Sequence, residues 1–205
     1  MLFLEKDVKT PLETPAQIPV QGAYGDTMGK KAFLVIDMLK DFVDPGGKLY
    51  IGDEARRVIP AIKRAIEHAR NKGCPVIYVC DRHLPDDPEF SMFPPHCIVG
   101  SEGAEVTEEL KPMPGDRVIP KRRYSAFFQT DLDLTLRELG VDELVILGVC
   151  TNICDLYTAA DARMLGYKVT VLRECVASFD KEAHEFALKE MERTRGAKVE
   201  DSRAG

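Results

Sequence analysis

The sequence has no excess of positive charge: 28 Lys and Arg stand against 34 Asp and Glu, a net charge of −6. Nucleic acids and anionic membrane surfaces both favour basic patches, so neither is an expected partner. No apolar run approaches the ~18–20 residues that a membrane span requires. Met1 to Leu4 is apolar, but Glu5, Lys6 and Asp7 end it before a signal-peptide core forms. There is no CxxC pair either. The six cysteines, Cys74, Cys80, Cys97, Cys150, Cys154 and Cys175, are scattered through 205 residues. That pattern reads as the reduced thiols of a cytoplasmic protein, not as a disulfide framework.

What is present, 44% hydrophobic and 30% charged residues, suits one globular domain with a sizeable core. Residues 1–30 hold Pro11, Pro15 and Pro19 without sustained periodicity. They read as an irregular arm, packed on a neighbouring subunit, with Met28 as an alternative start. Residues 31–205 then form the single domain of a homo-oligomer, a dimer or tetramer.

Unbroken apolar runs at Lys31–Asp37, Pro75–Cys80 and Leu144–Leu147 suit strands buried on both faces. Val118–Ile119, Lys168–Leu172 and Lys198–Glu200 add three shorter strands. Helical spacing covers Asp53–Lys72, Asp131–Leu139 and Lys181–Arg193. A further helix starts at Thr151 or Asn152, with Ile153, Leu156, Tyr157, Ala160 and Met164 on one face. Arg82 to Gly115 is a long Pro- and Gly-rich loop with room for one short helix near Ala104–Leu110. Gly73, Gly140, Gly166 and Gly196 each separate a helix pattern from the next strand pattern. The expected fold is α/β: a doubly wound, mostly parallel six-stranded sheet with helices on both faces.

In such sheets ligands gather beyond the carboxyl ends of the strands. Four successive strand ends here carry Asp37, then Asp81 with His83, then Lys121, then Cys150 and Cys154. Cys154 falls in the first turn of its helix, where unpaired N–H groups and the macrodipole favour a thiolate. The plain alternative is a small buried thiol. Cys150 is a competing nucleophile, placed earlier in the turn. The chemistry that fits is acyl transfer, with Lys121 holding charge, Asp37 moving protons, and the Cys150 and Cys154 amides forming an oxyanion hole. Asp81 and His83 project to one side of a strand end. With His96 they offer one carboxylate and two imidazoles to a metal, unless the two are ordinary loop histidines. His68 and His184 sit in helical stretches and read as surface residues.

The stretches LVIDMLKDF (34–42), DRHLPDDPEFSMFPPHC (81–97), KRRYSAFFQTDL (121–132) and GVCTNICDLYTAADARMLGY (148–167) together resemble the isochorismatase-like cysteine hydrolases, and within them the nicotinamidases. The resemblance implies a three-layer α/β/α fold, a Cys154, Asp37, Lys121 triad and a cis peptide between Val149 and Cys150. It also implies a divalent metal on Asp81, His83 and His96, zinc first and manganese or iron as alternatives. In nicotinamidases that metal engages the pyridine nitrogen while the carboxamide faces the cysteine. The implied reaction is hydrolysis of nicotinamide to nicotinate and ammonia through a thioester, and another small amide or ureido compound is the alternative substrate. Phe42, Phe93 and Tyr124 are candidates to pack on a substrate ring. Leu39 stands where many members carry Gln, Cys150 stands where Ala is common, and residues 84–93 are short and acidic; these departures bear on the substrate more than on the reaction.

Overall fold

The computed structural model describes residues 30–201. The arm expected over residues 1–30 therefore lies outside the described residues, except for Lys30. The elements run β1 (Lys30–Ile36), α1 (Lys40–Val43), α2 (Asp53–Arg57), α3 (Ile59–Asn71), β2 (Val76–Asp81), β3 (Arg117–Lys121), α4 (Leu132–Glu138), β4 (Val141–Val149), α5 (Leu156–Met164), β5 (Lys168–Ala177), α6 (Lys181–Arg193) and β6 (Lys198–Glu200). All six strands are parallel, in the order β3-β2-β1-β4-β5-β6.

The unbroken apolar runs have a simple cause. Side chains alternate across a strand, and both faces are covered. Phe33, Val35, Tyr78, Val145 and Leu147 meet Ile59, Ile62 and Ile66 of α3 on one side. Leu34, Ile36, Ile77, Val79, Leu144 and Ile146 meet Leu132, Leu136, Ala159, Ala162, Leu188 and Met191 on the other. The chain runs outward from β1 to β3 and then returns to the other side with β4. The reversal falls between β1 and β4, and Asp37 follows the end of one while Cys150 follows the end of the other.

Several expectations are corrected. The helix over Asp53–Lys72 is two helices that break at Val58, because Pro60 has no N–H for the Arg56 carbonyl. The helix expected over Ala104–Leu110 is a pair of 3₁₀ turns, Glu102–Ala104 and Glu108–Leu110. Short α1 and a 3₁₀ turn at Pro88–Ser91 occupy stretches read as loop. Strand β5 runs on past Leu172 to Ala177, through an irregularity opposite Ile146 and Gly148.

The largest correction concerns the segment after β4. Thr151–Asp155 is a π turn, and the α-helix begins only at Leu156. The wider turn changes the helical phase, so Cys154, Asp155, Thr158, Ala159 and Ala162 face inward, while Tyr157 and Met164 are 53% and 77% exposed. Small residues on that face let α5 lie close against the sheet. The Val149–Cys150 peptide is cis.

Gly148 closes the gap between β1 and β4. Its φ is +131°, and a Cβ there would sit 2.0 Å from the Ile36 carbonyl oxygen. Only glycine permits this approach. Gly148→Ala should lower stability by about 2 kcal/mol or more, read from the urea midpoint. An unchanged midpoint would show that the close approach is dispensable.

Candidate active site

The four strand ends converge. Lys121, the last residue of β3, is buried, with its Nζ 2.7 Å from Asp37 Oδ2, 2.6 Å from Asp81 Oδ1 and 3.4 Å from Cys154 Sγ. Ligating atoms of Asp37, Asp81 and Cys154 all lie within 4.8 Å of one another. Asp37 has a left-handed φ of 51°, which turns the chain out of β1 and lets its Oδ1 accept the Asp81 N–H at 2.8 Å. Lys121 is not part of a solvated basic stretch with its neighbours. Arg122 beside it is exposed, but Lys121 is not.

Burial sets the charges. For Lys121 it opposes the ammonium form, but Asp37, Asp81 and Cys154 outweigh it and hold the amine well above its ordinary value. Burial, with Asp81 adding, pushes Asp37 up to about 6 against the pull of Lys121. Lys121 and His83 keep Asp81 low in spite of its burial. Cys154 departs from expectation: burial drives its thiol well above the usual value, with Lys121 alone among its large influences pulling it down. The physical cause is that Cys154 lies within a buried π turn and not at an open helix start. Cys150 is likewise pushed up by burial.

Beside this cluster stand His83 and His96. His83 Nε2 is 3.5 Å and His96 Nε2 is 4.0 Å from Asp81 Oδ2. Each ring has its other nitrogen occupied: His83 Nδ1 is 3.2 Å from Asp87 Oδ2, and His96 Nδ1 is 2.8 Å from the Pro94 carbonyl. Those partners accept hydrogen bonds only, so each Nδ1 carries hydrogen and each Nε2 is free to ligate. His83 Nε2 is buried with no hydrogen-bond partner among the described residues. One carboxylate and two free imidazole nitrogens therefore fit a divalent metal.

The loops that carry the histidines are tied down by acids not singled out in the sequence. Asp41 accepts the Cys97 N–H at 2.7 Å and the Lys48 N–H at 3.0 Å, which fixes the chain next to His96. Asp87 pairs with Arg122 and Arg123 as well as His83. Burial would raise its carboxyl, but the Glu89 N–H, His83 and the two arginines bring it well below the usual range. The spacing from His83 to Asp87 was the available signal, hidden because residues 84–93 read simply as acidic. Cys80 and Cys97 join the apolar core instead of the metal set.

A cleft opens over the sulfur. Phe42, Phe93 and Tyr124, the candidates to pack on a ring, all line it, together with Leu49, Ile51, Glu89, Ile153 and Phe179. No local pattern announced the approach of Leu49, Ile51, Glu89 and Phe179 to the site.

Residues 31–204 match the isochorismatase domain. The chain belongs to the isochorismatase family. The "uncharacterized isochorismatase family protein PncA" of Bacillus subtilis (strain 168) is 40% identical over 180 residues, 83% of this chain and 98% of that protein. The crystal structure of nicotinamidase/pyrazinamidase PncA from Bacillus subtilis superposes with a TM-score of 0.80 at 38% identity, covering 84% of this chain and 100% of that one. That of the pyrazinamidase of Pyrococcus horikoshii in complex with zinc gives 0.79 at 32% identity, covering 84% and 99%. This isochorismatase-family chain is thus a hydrolase of amide carbon–nitrogen bonds. None of its described helices is long and apolar enough to cross a membrane.

Asp155, the residue after Cys154, is a cost within this turn. It is fully buried, and neither carboxylate oxygen has a hydrogen-bond partner among the described residues. Burial, then Asp37, holds its carboxyl well above the ordinary value. The folded state therefore keeps a proton that the unfolded chain loses above ~pH 4, and stability falls as pH rises from there toward the folded value. Asp155→Asn should match the parent at pH 4 and gain on it by pH 7, measured by urea unfolding at both. The same difference at both pH values would refute the buried neutral acid.

Proposed function

We propose that this enzyme hydrolyses nicotinamide to nicotinate and ammonia through a thioester on Cys154. The observation that carries the reading is the contact of two groups through Asp81: its Oδ1 pairs with the Lys121 amine beside Cys154, and its Oδ2 faces the free nitrogens of His83 and His96. A flat ring carrying a basic nitrogen and a carboxamide spans such a pair of sites. The aromatic cleft of Phe42, Phe93, Tyr124 and Phe179 supplies apolar walls for the ring.

Asp37 takes the proton from the Cys154 thiol as sulfur bonds to the carboxamide carbon. Lys121 holds positive charge against the forming thiolate, and the amides of Cys150 and Cys154 receive the oxyanion. The carbon–nitrogen bond breaks as Asp37 returns the proton to the leaving nitrogen, and ammonia departs. Water then attacks the thioester, Asp37 accepts its proton, and the carbon–sulfur bond breaks to restore the thiol and release the acid. Asp81, His83 and His96 would hold a divalent metal, with zinc favoured by the imidazole-rich donors and manganese or iron as alternatives. Its contribution there is a Lewis-acidic anchor for the ring nitrogen.

Purified protein should release ammonia from nicotinamide faster than from other small amides or ureido compounds, and chelation should suppress that release. Cys154→Ala should abolish it, and Asp37→Asn should lower kcat by about 10²–10⁴-fold. Nicotinamide turnover that survives Cys154→Ala and chelation would contradict the reading, as would stronger turnover of a ureido compound. Asp87→Asn should weaken zinc binding by about 10–100-fold through loss of its hold on His83, as measured by calorimetric titration.

A further inference from the structure

We propose that His184 is a positioning residue for the nucleophile turn. The sequence places it on a helix as a surface residue; the helix is there, but the ring is half-buried. His184 lies in the first turn of α6, where Asp180 caps the helix by accepting the Ala183 N–H at 2.9 Å. The His184 Nδ1 is 2.8 Å from Thr151 Oγ1. Thr151 is fully buried and opens the π turn that ends at Asp155 and contains Cys154.

That turn has backbone bonds of its own, the Leu156 N–H donating to the Thr151 and Ile153 carbonyls. At its start the Ile153 N–H and the Asp155 N–H both donate to the Cys150 carbonyl, at 2.9 and 3.2 Å. A π turn is a rare geometry that sequence alone does not enforce, and outside contacts must select it. Two side-chain hydrogen bonds supply them: His184 to Thr151, and Ser178 Oγ to Asn152 Oδ1 at 2.6 Å, from the chain that follows β5. One clamp comes from the chain just after β5 and the other from the first turn of α6. The acid and the ammonium fix where the sulfur must arrive, and His184 fixes the backbone that delivers it. Burial holds His184 below its ordinary value, with Glu185, Arg173 and Glu54 as the charged groups around it, so the ring is neutral near pH 7 and able to share a hydrogen with the threonine hydroxyl.

This inference rests on the Cys154 hydrolase reading and not on the identity of the substrate. A double-mutant cycle with His184→Ala and Thr151→Val tests it. Each single variant should lower kcat roughly tenfold with KM within about twofold, because the geometry of attack changes and the cleft does not. The double variant should lose no more than either single. His184→Asn, whose amide reaches the place of Nδ1, should recover most of the rate, and His184→Gln should not. Iodoacetamide labelling of the Cys154 peptide in folded protein reads the same coupling without a substrate. Both single variants and the double should change that rate by a common factor, about fivefold or more. Fully additive losses, or parental kcat and labelling rate in folded His184→Ala, would overturn the proposal. If nicotinamide is not hydrolysed but the labelling cycle shows the coupling, the substrate assignment fails and the role of His184 stands. Should His184→Ala not fold, the Asn and Gln variants with Thr151→Val decide the matter, and equal rates for Asn and Gln would overturn it.

Discussion

The site depends on one buried ammonium. Lys121 is enclosed by two carboxylates, Asp37 at 2.7 Å and Asp81 at 2.6 Å, and by the Cys154 sulfur at 3.4 Å. Two carboxylates this close and this dry would not both stay ionised without it. Removing one partner from such a buried cluster leaves charge uncompensated, at a cost of about 3–5 kcal/mol. Lys121 is therefore a structural and a chemical residue at once. The amine that touches the Cys154 sulfur is also what allows Asp37 and Asp81 to share the sheet edge.

Asp81 extends the consequence outward. One oxygen belongs to Lys121 and the other faces two histidines whose remaining nitrogens are held by Asp87 and Pro94. Three groups that could hold a metal and the Cys154 sulfur are thus linked through a single carboxylate, and charge added on one side is felt on the other. The acids that hold this arrangement, Asp41 and Asp87, never face the cleft. They act by fixing backbone and ring orientation.

Much of this was legible in the chain. The apolar runs gave the strands because burial on both faces removes alternation, and β6 and α6 were placed to the residue because their patterns are local. The site residues were legible for a topological reason: Asp37, Asp81, Lys121 and Cys150 end or follow successive strands, and parallel strands bring their carboxyl ends to one edge. What failed did so through context. Tyr157 and Met164 were assigned inward on a continuous α-helical phase, which the π turn before them shifts. His184 was assigned outward because nothing local marks the Thr151 hydroxyl waiting across the interface.

The sequence by itself determined the parallel α/β architecture and the chemical types gathered at its edge, because strand burial and side-chain chemistry repeat at short range. Only the tertiary structure decided how far burial shifts those groups and the exact loop partners that orient them. The upward push on the Cys154 thiol and on the Asp37 and Asp155 carboxyls has desolvation as its first cause. Desolvation is a property of everything packed around a group, and no neighbouring residue in the chain encodes it.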